Sequence, residues 1–293
     1  MIQQTIKKPS RDTINMVAEF IAIKNNMAEQ HIGFCGKNHE EIAATLKENL
    51  TDIPYEQSFL LALHDNKLIG VIGFDADLHN NSAEIIGPFM EEAISPEALY
   101  TELTKLLPEN IVSVAMFPDK NNKKVKDLAS LLNFEKKSEQ AILSMNSKTT
   151  KMEKFSLTEL TPPLYDEMKS LHDSSFPNTY YSGQEIIDRM NDNRKVFIFE
   201  KDQKLAGYIY AETEPAFGEA SIEFFAVNPS FQNKGIGATL LKGAVQWIFS
   251  FPSIDSLQLC VNASNKKALK LYQKIGFSLD HELDYYIKNK NPE

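Results

Sequence analysis

A chain of 293 residues is long enough for two ordinary domains, each with its own buried core. A hydrophobic share of 42% and a charged share of 24% belong to a soluble globular protein, and a net charge of −9 argues against a general nucleic-acid binder. The amino terminus lacks the apolar core of a targeting signal and no apolar run reaches membrane-spanning length, so the expectation is a cytoplasmic protein with no membrane partner.

In chain order, Ile14, Val17, Ala18 and Ile21 predict a helix over 14–27, and Ile42, Leu46 and Leu50 a second over 40–50. A strand over 59–63, the turn Asp65-Asn66-Lys67 and a strand over 68–74 form a hairpin, with a third strand over 83–86. A helix over 97–107, a strand over 111–116 and a helix over 125–132 complete the first half. Residues 146–151 are polar and mark the junction between domains at 1–146 and 147–293.

Beyond the junction come a strand over 155–160 and a helix over 164–171 whose start is shaped by Pro162-Pro163. A polar and aromatic loop over 172–183 and a helix over 184–190 follow. Strands over 196–200 and 205–213 make a hairpin, and a strand over 220–227 leads into Asn228-Pro229-Ser230-Phe231-Gln232-Asn233-Lys234-Gly235-Ile236-Gly237. The helix after this loop carries one apolar stripe, Ala238, Leu241, Val245 and Ile248. A strand ending in a glycine turn before a helix presents free backbone N–H groups to an anion. It is neither a P-loop, since Ala238-Thr239 follows the second glycine, nor a dinucleotide fingerprint, since Leu240 stands where a third glycine belongs. Next come an alternating strand over 256–261 and a helix with Ala268, Leu271, Tyr272 and Ile275 on one face, closed by Gly276.

Several residues have plain structural readings. His172, Asp173 and Ser174 are neighbours and cannot converge as a triad, so they read as a surface helix end. Six scattered histidines show no metal-ligand spacing, and Cys35 and Cys260 no metal or redox spacing. Cys260 is expected to be a small buried residue of its strand.

The halves also repeat one another. Asp65-Asn66-Lys67-Leu68-Ile69-Gly70 matches Asp202-Gln203-Lys204-Leu205-Ala206-Gly207, and Asn122-Lys123-Lys124 matches Asn265-Lys266-Lys267 through the following helix without a gap. The copies differ where an anion would bind. The first has Glu91-Glu92 in place of the glycine loop, and Ala129 in place of Tyr272.

Gln232-x-x-Gly235-x-Gly237, then a strand, Asn265, and Ala268-x-x-Leu271-Tyr272-x-x-x-Gly276-Phe277 resemble the GNAT superfamily of N-acyltransferases. The resemblance implies an α/β protein of two tandem GNAT-like domains, each a mixed, mostly antiparallel sheet flanked by helices, with a degenerate first copy. It implies acetyl-CoA as cosubstrate, lying between the strand end Phe225-Ala226-Val227 and the strand ending at Val261. The pyrophosphate would meet the backbone of Asn233, Lys234, Gly235, Ile236, Gly237 and Ala238, with Gln232 alongside. Lys234 is either a phosphate contact or a solvated surface lysine. Val227 N–H would polarise the thioester carbonyl, and Asn265 would bond the pantetheine arm, cap its helix, or do both. Tyr272 would protonate the leaving thiolate, against the alternative of a core aromatic. Glu223 takes the place of the base if its face, shared by alternation with Phe225 and Val227, lines the cleft; Glu84 is its expected counterpart in the first copy.

The implied reaction is acetyl transfer to a primary amine by direct attack, in a monomer or homodimer. The alternative is a non-catalytic acyl-CoA sensor. The acceptor, a small amine or a protein amino group, would be lined by 172–183 and 213–219. Phe176, Tyr180 and Tyr181 form an aromatic wall in this reading, and Glu212, Glu214 and Glu219 attract a cation.

Overall fold

The computed structural model describes residues 4–92, 94–149, 157–177 and 179–290. The chain forms two compact units. One comprises residues up to Gln140 together with those from His281 onward, and the other spans Ala141–Asp280.

The first unit contains β1 (Gln4–Lys7), α1 (Ile14–Asn25), α2 (His39–Ala44), α3 (Tyr55–Ser58), β2 (Phe59–His64), β3 (Lys67–Asp77), β4 (Ser82–Met90), α4 (Pro96–Thr104), β5 (Ser113–Met116) and α5 (Lys123–Leu131). β6 (Glu135–Asn146) runs past the division. The second unit contains β7 (Thr158–Glu159), α6 (Tyr165–Ser175), α7 (Gly183–Arg189), β8 (Arg194–Lys201), β9 (Lys204–Glu214), β10 (Glu219–Val227), α8 (Ile236–Ile248), β11 (Ser256–Asn262) and α9 (Lys266–Ile275). β12 (Ser278–Asn289) closes the described chain, and the second division falls within it.

Sheet order is β1-β2-β3-β4-β5-β12 in the first unit and β6-β11-β10-β9-β8-β7 in the second. Among the described pairings most are antiparallel, with β4 parallel to β5 in the first unit and β10 parallel to β11 in the second. The hairpin turns match between units, with Asp65 and Asn66 at φ 49° and 62° and Asp202 and Gln203 at φ 54° and 58°. Asp65, Asn66 and Asp202 are short polar residues that tolerate this left-handed conformation, and Gln203 adopts it at the same place in the second turn.

The units do not divide where the sequence suggested. β12 pairs with β5 from Tyr286↔Met116 to Asn289↔Ser113, and Asp284 is held by Lys126 at 3.0 Å and Lys136 at 2.7 Å. The C-terminal strand thus completes the first unit, because register rather than sequence proximity chooses a strand's partner. Of the polar junction, residues 150–151 lie outside the described chain, as do 151–156 at the start of the strand expected over 155–160; the described strand there is Thr158–Glu159.

In the second unit the sheet separates two apolar clusters. Leu240, Leu241, Val245 and Ile248 of α8 pack with Tyr272 of α9 on one side, and Met168 and Leu171 of α6 with Ile186 of α7 on the other. Burying these stripes is what holds the helices, each methylene contributing about 0.8 kcal/mol.

Candidate active site

β10 and β11 pair from Glu219↔Ser256 to Ile222↔Leu259 and then part. From Glu223 to Val227 one edge of β10 faces the gap, while the other stays on β9 as far as Val227↔Gly207. Backbone groups on such an edge suit an extended, amide-bearing ligand.

The register against β9 shifts between Ile222 and Phe224, making Glu223 the extra residue of a bulge. This corrects the simple alternation. Ile222, Phe225 and Val227 belong with the α8–α9 cluster, whereas Phe224 and Ala226 belong with the α6–α7 cluster. Glu223 does not share the face of Phe225 and Val227. Its carboxylate accepts hydrogen bonds from the hydroxyls of Tyr180 and Ser221. Desolvation of its hydroxyl end, followed by the adjacent Glu223 charge, holds the Tyr180 phenol above its usual range, although the outer side of the ring is exposed.

Gly235 is the N-cap of α8 at φ 82°, and a Cβ there would meet nothing within 4 Å. No side chain caps this 13-residue helix, so the positive end of its dipole opens toward solvent. Gln232 Nε2 donates to the Val227 carbonyl at 3.1 Å, tying the loop to the strand end. Asn233 is left-handed at φ 60°. Lys234 turns back, its Nζ donating to the Ser230 carbonyl at 3.0 Å and lying 5.3 Å from the Phe231 ring centre. The two glycines differ in what they make possible. A Cβ at Gly237 would stand 3.0 Å from the Phe225 ring and 3.4 Å from Leu271, so its absence lets β10 and α9 pack against the helix rather than making room for a ligand.

Asn265 caps α9, its Oδ1 accepting the Ala268 N–H at 3.1 Å, and its amide nitrogen has no partner among the described residues. Tyr272 is 6% exposed and packs against Phe225 and Phe277, with ring centres 6.4 and 5.8 Å away. Burial raises its phenol pKa, with Cys260 the second cause, so the hydroxyl is protonated at neutral pH. Cys260 is exposed, not buried as its strand pattern suggested. It stands one residue past the last β10–β11 pair.

The acids expected to attract a cation are already engaged. Glu212 accepts from Arg189 at 3.0 and 3.2 Å, from Arg194 at 3.1 Å and from Tyr210 at 2.6 Å. Glu214 lies 3.6 Å from Arg194. Arg189 also stacks 4.1 Å over the Tyr181 ring. Glu223 stands where β10 and β11 part, bonded by Tyr180 and Ser221 and by no cation among the described residues. Phe176, Tyr180 and Tyr181 do gather, around Phe224 at 5.3, 4.9 and 6.5 Å.

The first unit has the same parting strands, β4 and β5 pairing from Ser82↔Ser113 to Glu84↔Ala115. There the corresponding groups are taken. Met90 pairs with Gly70 as Val227 pairs with Gly207, and the Met90 N–H donates to Gln30 Oε1 at 3.2 Å. Residues 31–33 lie against the continuation of β5, with Gly33 N–H on the Phe117 carbonyl at 2.8 Å and Asp119 N–H on the His31 carbonyl at 2.9 Å. Ser95 caps α4, and Glu91 forms an ion pair with the buried Lys24 at 2.8 Å. Glu84 faces Asp75 as Ser221 faces Glu212, so Glu84 is the counterpart of Ser221 and not, as the sequence suggested, of Glu223. Gln30 and Ser221 escaped sequence reasoning, since neither type carries a motif.

Residues 165–277 match the Acetyltransferase (GNAT) family. Over 103 residues the chain is 29% identical to the spermidine N(1)-acetyltransferase of Escherichia coli (strain K12), which covers 34% of this chain and 55% of that protein. The chain thus spans about half the length of the curated relatives it matches. A GCN5-related N-acetyltransferase from Sphaerobacter thermophilus superposes with a TM-score of 0.78 at 13% identity, over 99% of this chain and 96% of that one. A tandem GNAT protein from the clavulanic acid biosynthesis pathway superposes with a TM-score of 0.65 at 10% identity, over 99% and 100%. The chain therefore has the tandem GNAT fold, and its residues 165–277 match the acetyltransferase (GNAT) family.

Proposed function

We propose that the second unit transfers an acetyl group from acetyl-CoA to a primary amine. The observation that carries this reading is the convergence on one gap of an unpaired β10 edge, an uncapped α8 and the buried Tyr272. The loop into α8 and the start of that helix, from Asn233 to Ala238, take the pyrophosphate. The edge at Phe225, Ala226 and Val227 aligns the pantetheine amides, and the Asn265 amide adds a donor.

Glu223 removes a proton from the incoming ammonium, directly or through water. The amine lone pair then attacks the thioester carbon, whose oxygen draws on the Val227 N–H. A C–N bond forms, the C–S bond breaks, and the departing sulfur takes its proton from Tyr272. The amide's surplus proton leaves to solvent and Tyr272 is reprotonated. Ala129 in the place of Tyr272 in the first unit fits loss of chemistry there, and Gln30 on the Met90 N–H fits loss of binding.

Among acceptors, the name of the Escherichia coli relative favours a polyamine, and the aromatic wall beside Glu223 suits an ammonium on an apolar arm. The test is CoA release from acetyl-CoA across a panel of primary amines that includes spermidine. Amine-dependent release is expected. Tight binding with no turnover for any amine would make the protein an acyl-CoA sensor.

A further inference from the structure

His172, expected at a surface helix end, is 0% exposed in the last turn of α6. Its Nε2 lies 2.8 Å from the Tyr181 carbonyl oxygen. A carbonyl oxygen only accepts, so Nε2 carries the proton, and in the neutral ring Nδ1 accepts the hydroxyl of the fully buried Tyr208 on β9. The ring packs edge-on against Phe224, with centres 4.7 Å apart and planes at 85°, next to the bulge at Glu223. Asp173 accepts the Gly183 N–H at 2.8 Å through Oδ1.

Two consecutive side chains therefore grip the backbone on either side of Ser182, which itself caps α7 in a capping box with Glu185. Immediately before this grip, Tyr180 reaches Glu223 with its hydroxyl and stands against Tyr181 and Phe224, ring centres 4.8 and 4.9 Å away. Tyr180 is 57% exposed, so little packing on its outer side holds it in place. Its placement is set by the backbone that carries it.

We propose that His172 and Asp173 are positioning residues for the acceptor amine, clamping the segment Tyr180–Gly183 so that Tyr180 and Glu223 present one fixed edge to an ammonium on an apolar arm. The proposal rests on the acetyl-transfer reading of this unit. Neither side chain touches the reacting atoms. Their effect runs through where Tyr180 and the carboxylate stand.

The test uses the full chain with His172→Gln, Tyr208→Phe and Asp173→Ala. Tyr208→Phe keeps the ring and removes only the hydroxyl, so it serves if His172→Gln fails to fold. KM for spermidine is expected to rise about tenfold, as for loss of one hydrogen bond, with KM for acetyl-CoA within about twofold of wild type. Amide hydrogen exchange at Ser182 and Gly183, whose N–H groups are bonded at this grip, should quicken in the same variants. Unchanged exchange would overturn the clamp whether or not an amine is acetylated. Equal rises in both KM values would reduce the pair to general structural support and overturn the acceptor role. A wild-type protein that acetylates no amine would instead sink the transfer reading, and the acceptor role with it.

Discussion

Asn122 and Asn265 cap equivalent helices with the same backbone, φ −77° and ψ 74° in one and φ −77° and ψ 72° in the other, yet only one has its amide nitrogen engaged. Asn122 Nδ2 donates to the His31 carbonyl at 3.3 Å, inside the segment that lies against the continuation of β5. Asn265 Nδ2 has no such partner among the described residues. One fold thus keeps a cap in both units, and in the second the amide nitrogen has no partner among the described residues.

Asn265→Ser separates the two uses. A serine still caps the helix, so the thermal midpoint should change little. Losing the amide should weaken acetyl-CoA about five- to tenfold, as for one hydrogen bond. Calorimetry reads this directly, and unchanged affinity would leave Asn265 a cap and nothing more.

Acetyl-CoA should bind once per chain, in the second unit. Gly235→Asp is the sharper probe than a change at Gly237, because the space at Gly235 is open and aspartate tolerates its left-handed backbone. A carboxylate facing the pyrophosphate should lower affinity at least about tenfold without unfolding the unit. Two equivalent sites by titration calorimetry would overturn the contrast between the copies.

Much of this was written locally and could be read. The twin turns at Asp65-Asn66 and Asp202-Gln203, the stripe through Leu241, Val245 and Ile248, and the uncapped glycine start of α8 are all set by neighbours within a few residues. The bulge at Glu223 was not legible, because period-two alternation carries no register, and one inserted residue moves a carboxylate to the other face. His172 looked like a surface polar residue, since its partners Tyr208 and Tyr181 meet it only in the folded chain. The same holds for the arginines on Glu212 and for Gln30 on Met90, which are contacts across long sequence separations.

The first unit should lose stability in acid through His31. It is 5% exposed, stacked 3.6 Å on the His281 ring, with Nδ1 2.8 Å from the Asn25 carbonyl. Burial chiefly lowers its pKa from 6.5 to about 4, with His281 and Lys37 also lowering it and the Asn25 carbonyl and Asp119 opposing. The unfolded chain takes up the proton first, so the neutral ring's contribution is full above pH 6.5 and vanishes as pH falls to about 4. Glu84, which burial and then Asp75 push up to about 8, acts with the opposite sign, its contribution present below pH 4.5 and lost as pH rises through about 8. The difference in unfolding free energy between wild type and His31→Gln isolates the histidine and should shrink by about 1–3 kcal/mol between pH 6.5 and 4. A pH-independent difference would contradict this assignment.

Tyr272→Phe tests the central claim, that the second unit is a working acetyltransferase site. The ring is buried against Phe225 and Phe277, so phenylalanine keeps the packing and removes only the hydroxyl. With Tyr272 as proton donor to the leaving sulfur, turnover on an accepted amine should fall by about 10²-fold or more. The Kd for acetyl-CoA should move by less than about tenfold, the worth of one hydrogen bond. Wild-type turnover in this variant would contradict the account and leave Tyr272 a packing residue of α9.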